Sequence, residues 1–187
     1  MIRTFIAVAI PETVRQQIGK LQTELKTIGG KVRWVKPDSM HLTLKFLGEV
    51  PEGDIEKIGN QVQQAIESVE PFALQIVGSG CFPNSKRPRV LWLGISGQAD
   101  VLKKLAKRIE ANLVKLGFRR ERREFTPHLT LGRVKSISGI APLIEKMGLL
   151  DFDSEPFEVR EILVMKSDLK PTGAEYSVLR KIPLSSN

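Results

Sequence analysis

The tetrapeptide His-Leu-Thr-Leu occurs twice, at residues 41–44 and 128–131, in a chain of 187 residues that contains no other histidine. Sliding the chain by the 87 residues between the two copies also lays Phe5 over Trp92, Val8 over Ile95, Val14 over Val101, Ile18 over Leu105 and Gly30 over Gly117. A duplication that keeps apolar positions and turn glycines in step requires a fold built from two related halves, here about 1–87 and 88–187, within one domain.

The local patterns repeat in the same order. In the first half an apolar run over 4–10 leads into Val14, Ile18, Leu21, Leu25 and Ile28, the stripe of an amphipathic helix stopped by Gly29 and Gly30. The first motif follows as a strand over 40–47, then a second helical stripe from Ile55 to Val69 and a strand over 72–77. In the second half, 90–95 reads as a strand and Leu102, Leu105, Ile109, Leu113 and Leu116 as a helix ended by Gly117. The second motif strand, a short helix in "GIAPLIEKM", a strand in "FEVREILVMK" and a last strand in "EYSVLRKIPL" complete the chain. The expected class is α+β, with two related lobes.

Residues two apart on a strand share a face. Leu42, Leu44 and Phe46 therefore fall together, and His41, Thr43 and Lys45 fall on the other side; in the second copy Leu129 and Leu131 oppose His128 and Thr130. Packing accounts for the leucines but gives no reason to repeat a histidine beside a hydroxyl. Phe46, a candidate for stacking on a base, goes by this alternation with the packed leucines and is expected in the core, as are Trp34 and Trp92. Lys45 is expected on the histidine face, at the cleft or in solvent.

Composition narrows the chemistry. One cysteine, Cys81, forms no internal disulfide, and two histidines without a recurring carboxylate or thiol make a poor metal site, so a reducing cytoplasm and no metal or cofactor are expected. The run "FIAVAI" is too short for a membrane span, and no phosphate-binding loop, dinucleotide fingerprint or nucleophile elbow is present. A net charge of +8 and a pI near 9.7 attract polyanions, nucleic acid foremost. Basic residues cluster at Lys86, Arg87 and Arg89, and at Arg119, Arg120, Arg122 and Arg123 just before His128; the second cluster, diluted by glutamates, reads equally as a solvated loop.

An imidazole pair suits acid–base catalysis, because a pKa of about 6.5 allows one ring to be neutral while the other is charged. Displacement at phosphorus needs a base on the entering oxygen and an acid on the leaving oxygen, and threonine hydroxyls with an arginine can hold the non-bridging oxygens. A phosphodiester fits these parts.

The paired His-x-Thr motifs, together with "RTFIAVAIP", "VRWVKPDSMHLTLKFLGEV" and "FTPHLTLGRV", resemble the 2H phosphoesterase superfamily over nearly the whole chain, and most closely its RNA 2′,3′-cyclic phosphodiesterase branch, also called 2′-5′ RNA ligase. The resemblance implies a bilobal, pseudo-twofold α+β fold, with two antiparallel β-sheets lining a central cleft and helices on the outer faces, and metal-independent hydrolysis of a terminal 2′,3′-cyclic phosphate to a 2′-phosphate, with ligation as the reverse chemistry. It implies His41 and His128 as the catalytic pair, Thr43 and Thr130 on the phosphate and Arg133 on the substrate. His41 is taken as proton donor and His128 as acceptor, the reverse staying open because the repeat makes the sites alike. Regular alternation would turn Arg133 toward the leucines, so its role requires the strand to end or bulge near Gly132. The expected partner is RNA with a cyclic phosphate end, tRNA fragments included, with no membrane and a monomeric protein. A 2′-5′ oligonucleotide, a small nucleotide cyclic phosphate, or phosphate recognition by a non-catalytic RNA-binding module remain open alternatives.

Overall fold

The computed structural model describes residues 1–171 and 173–185. Its elements follow the order β1 (Ile2–Ala9), α1 (Glu12–Ile28), β2 (Lys31–Trp34), β3 (His41–Val50), α2 (Ile55–Ala65), β4 (Phe72–Phe82), β5 (Val90–Gly97), α3 (Ala99–Val114), β6 (His128–Ser136), α4 (Ala141–Gly148), β7 (Phe157–Val159), β8 (Glu161–Lys170) and β9 (Gly173–Pro183). Helix α1 buries the stripe Val14, Ile18, Leu21 and Leu25, and the left-handed backbone at Gly29 (φ 100°), which disfavours side chains, ends it. None of the described helices is long and apolar enough to cross a membrane.

All strand pairings are antiparallel and fall into two sheets, ordered β3-β1-β8-β9 and β2-β6-β5-β4-β7. Under the 87-residue shift β1 maps onto β5, β3 onto β6, and β4 onto β8. The trio β3-β1-β8 is therefore the image of β6-β5-β4, and each trio takes two strands from one half of the chain and one from the other. Neither half completes a sheet alone. The strand expected in "FEVREILVMK" is divided for this reason: β7 pairs with β4 in one sheet, and beyond Arg160 β8 pairs with β1 in the other. The last strand, β9, lies beside β8.

The helices cross in the same way. Helix α1 follows β1 but packs with α4 on the sheet of β6, where Gln22 donates from Nε2 to the carbonyls of Val35 and Leu131 at 2.8 and 3.0 Å. Helix α3 follows β5 but packs with α2 behind β3. Consequently residues 29–40 and 115–127 both run back from one sheet to the other and deliver a histidine at their ends. One apolar cluster, including Ile6, Val8, Leu42, Leu44, Leu91, Leu93, Leu129 and Leu131, joins both sheets to all four helices. On the other side of β1 and β8, Phe5, Ala7, Leu163 and Met165 form a smaller buried group.

Two side chains depart from the expected faces. Lys45 is buried, 2% exposed at its side chain, and pairs through Nζ with Glu110 Oε1 of α3 at 3.1 Å while donating to the Arg119 carbonyl at 2.9 Å. Phe46 is 59% exposed and lies outside the core. Both follow from an irregularity in β3: Ile6 faces Lys45 but Ala7 faces Thr43, so Leu44 is an extra residue and Leu44 and Lys45 both turn inward. Trp92 is also off the core, half-buried between the inward Leu91 and Leu93 with its ring 5.2 Å from that of Phe82; Trp34 is half-buried against the main cluster.

The ion pair is asymmetric, since Glu110 keeps 26% of its side chain in solvent and also accepts the Glu121 amide. Burial alone would raise the Glu110 carboxyl, but the hydrogen bonds from Glu121 and Lys45 and the charges of Lys45 and Arg120 hold it below its usual value. Removing Glu110 strands a buried cation, whereas removing the lysine charge leaves a partly hydrated carboxylate. Glu110→Ala should therefore cost about 3 kcal/mol and Lys45→Met less than about half of that, read as shifts of the urea midpoint at constant slope; the opposite order would contradict the pairing.

Candidate active site

Each histidine heads its strand, and each ring is tied to the backbone two residues earlier. His128 Nδ1 lies 2.7 Å from the Thr126 carbonyl, and the His41 ring is hydrogen-bonded to the Ser39 backbone. A carbonyl only accepts, so Nδ1 of His128 carries the hydrogen; in the neutral ring Nε2 is left with a lone pair. Strands β3 and β6, which carry the two motifs, contact each other.

The surroundings differ. His41 stacks on Phe5 with ring centroids 4.6 Å apart and meets the edge of Tyr176 at 4.7 Å. Phe5 is itself buried and also neighbours Phe46 and Tyr176, at 6.0 and 5.4 Å. His128 meets only the edge of Phe82, at 5.0 Å, among the described residues. Burial within the aromatic box lowers His41 to a pKa of about 4, against the opposing effect of the Ser39 hydrogen bond.

Thr43 and Thr130 are half-buried and alternate with inward leucines, which puts each on the face of its histidine. Arg133 joins them because β6 bulges as β3 does. Trp92 faces Thr130 and Leu91 faces Gly132, leaving Leu131 as the extra residue; Leu131 and Gly132 both turn inward and Arg133 is exposed. The bulge expected near Gly132 is thus present. A Cβ on Gly132 would lie 2.6 Å from Val32 Cγ1 and 3.1 Å from the Arg33 carbonyl, so β2 excludes a side chain there. The carbonyl of Leu131 accepts the Val35 amide at 2.9 Å and Gln22 Nε2 at 3.0 Å, which fixes the bulge.

Slid by 87 residues, Leu44-Lys45-Phe46 falls on Leu131-Gly132-Arg133. Phe46 and Arg133 are equivalents, an aromatic ring from one lobe and a guanidinium from the other. Gln22 is a supporting residue that the sequence reading missed; its signal was a polar residue inside the apolar stripe of α1. Among the described residues, no three His, Cys, Asp or Glu side chains gather as a metal site requires.

The sequence model of LigT like Phosphoesterase matches this chain twice, over residues 8–92 and 93–176. The chain belongs to that family. Its two matched copies coincide with the duplication that carries the histidines. Among curated phosphoesterase relatives, the RNA 2′,3′-cyclic phosphodiesterase of Methanothermobacter thermautotrophicus is 37% identical over 94% of this chain and 95% of its own length. That of Thermotoga maritima is also 37% identical, over 95% and 93%. Among solved structures, a Thermus thermophilus protein superposes with a TM-score of 0.79 at 29% identity, covering 97% of both chains. Escherichia coli LigT complexed with 3′-AMP gives 0.80 at 24% identity, covering 99% of each and showing the same fold.

The buried His41 makes stability depend on pH. Its folded pKa is below the ordinary 6.5, so the unfolded chain binds the extra proton between about pH 6.5 and pH 4, and stability falls as pH is lowered through that window. The loss attributable to this ring is no more than about 3 kcal/mol. His41→Phe, which keeps the aromatic packing, should lose that component in urea titrations at stepped pH; an unchanged dependence would mean that His41 is not held neutral.

Proposed function

We propose that this phosphoesterase hydrolyses the 2′,3′-cyclic phosphate at RNA ends to a 2′-phosphate, using His41 and His128 as an acid–base pair. The observation that carries the reading is the duplicated site: two ring-anchored histidines on facing strands, each with a threonine on the same face, in a family whose curated relatives are named for this activity.

His128 is the base. Its anchored Nδ1–H leaves the Nε2 lone pair to take a proton from water as the oxygen attacks phosphorus. The P–O3′ bond breaks opposite the entering oxygen, and His41 gives its proton to the leaving 3′-oxygen. A 3′-hydroxyl and a 2′-phosphate result, and proton exchange with solvent resets both rings. Thr43 and Thr130 donate their hydroxyls to the non-bridging oxygens, and Arg133 supplies a charge-assisted bond. Phe46 offers an exposed ring face to the terminal base.

Burial keeps His41 neutral in the free protein, and a bound phosphodiester anion supplies the opposite charge that favours its protonated form. The same burial is the one observation favouring the reverse assignment, with His41 as base. A 5′-hydroxyl in place of water turns the reaction into formation of a 2′-5′ linkage by the same groups. One copy carries both histidines, so a monomer suffices; fragments of tRNA ending in a cyclic phosphate are suitable substrates. The lone thiol of Cys81 suits a reducing cytoplasm.

A short RNA with a 2′,3′-cyclic phosphate, incubated in EDTA, should give the 2′-phosphate alone. His41→Ala and His128→Ala should each lower kcat/KM by roughly 10²- to 10⁴-fold. A 3′-phosphate product, or turnover that survives loss of either histidine, would contradict the reading.

A further inference from the structure

Four arginines, Arg119, Arg120, Arg122 and Arg123, occupy the segment between α3 and His128, which contains neither helix nor strand. All four are exposed, and among the described residues none forms an ion pair within 4 Å. A connection that only joined a helix to a strand would need no more than solvation.

This segment is instead fastened at both ends. Near its start Lys45 holds the carbonyl of Arg119, and the Lys45 partner Glu110 accepts the amide of Glu121 at 2.7 Å. At its far end Phe125 packs half-buried against the main core, and the Thr126 carbonyl holds the His128 ring. The first anchor uses a lysine withdrawn almost completely from water, a costly way to fix a loop. The equivalent stretch of the first half contains β2, which pairs with β6. Residues 119–124 form no such strand, so their backbone is fixed by side chains. Among the described residues their guanidinium groups form no ion pair within 4 Å, and only Arg120 acts on a carboxylate, that of Glu110, through its charge.

The anchors also set its place. The segment runs from the edge of the strand bearing His41 and Thr43 to the head of the strand bearing His128. Arg123 is five residues from His128, within about 18 Å along the chain. Fixed, unpaired arginines at that distance suit a second, polyanionic part of the substrate, because guanidinium forks match phosphate oxygens.

We propose that the anchored arginine segment, residues 119–124, is a subsite for the phosphodiester backbone leading to the cyclic end, so that the enzyme favours RNA chains over cyclic mononucleotides. The inference rests on the proposed phosphodiesterase reading. Arg120, Arg122 and Arg123 grip the linkages upstream of the reacting phosphate, and Lys45 is a positioning residue that holds them in line with His128.

The test compares 2′,3′-cyclic AMP with a single-stranded RNA of about a dozen nucleotides ending in a 2′,3′-cyclic phosphate, on the parent protein and on the triple variant Arg120→Ala, Arg122→Ala, Arg123→Ala. The variant should turn over cyclic AMP within about twofold of the parent, yet lose about tenfold or more in kcat/KM on the RNA, through KM, with its log–log salt slope shallower by about 2. The corresponding triple lysine variant should restore most of the salt dependence, because phosphate neutralisation needs charge. Equal loss on both substrates would make the segment a support for His128 and overturn the proposal, as would an undiminished rate on RNA. Absence of turnover of either substrate by the parent would remove the phosphodiesterase reading, and the proposal with it.

Discussion

One extra residue in each motif strand, Leu44 in β3 and Leu131 in β6, decides which side chains reach the cleft. Before the bulge, histidine and threonine face the cleft and the leucines face the core; after it the order is inverted, and Phe46 and Arg133 emerge where a regular strand would hide them. The two bulges are supported differently. In β6 the second inward residue is a glycine, required by β2 close above it, and Gln22 and Val35 satisfy the Leu131 carbonyl. In β3 that residue is Lys45, whose charge reaches Glu110 and the backbone of Arg119. A repeat of one backbone irregularity thus yields a guanidinium in one lobe and an aromatic ring in the other.

The proposed acid–base chemistry needs equivalence and inequality together. Equivalence comes from the duplication: each ring is aimed by a backbone group two residues upstream, and interleaved strands hold both lobes to one core. Inequality comes from surroundings that the repeat does not copy. His41 is enclosed by Phe5 and Tyr176, and Tyr176 belongs to β9, a strand of 11 residues beside β8, where the other sheet has only the 3-residue β7 beside β4. The duplication supplies two histidines, and the longer strand makes the surroundings of one unlike those of the other.

Much of this was legible in the sequence because the periodicities are strong and recur. The four helices, the motif strands, the α+β class and the faces of His41, Thr43, His128 and Thr130 all follow from spacing, and the antiparallel sheets from the family resemblance. Interleaving of the sheets was not legible, since it depends on where helices cross rather than on any local pattern. Phe46, Lys45 and Trp92 were misplaced, the first two because strict alternation was applied through a bulge. The requirement that Arg133 reach substrate already implied such a bulge in the second copy; carried back by 87 residues it would have turned Phe46 outward and Lys45 inward. The short strand β2 offered only four residues of ambiguous pattern.

The measurement that bears most directly on the paired-histidine account is the pH dependence of kcat/KM for cyclic-phosphate RNA in the parent protein and in the single variants. The parent should give a bell. With His41→Ala the remaining rate should only rise with pH, as a base alone requires, and with His128→Ala it should only fall. Exchange of these limbs would reverse the donor and acceptor, whereas a full bell persisting in either variant would contradict the claim that these two rings are the acid and the base.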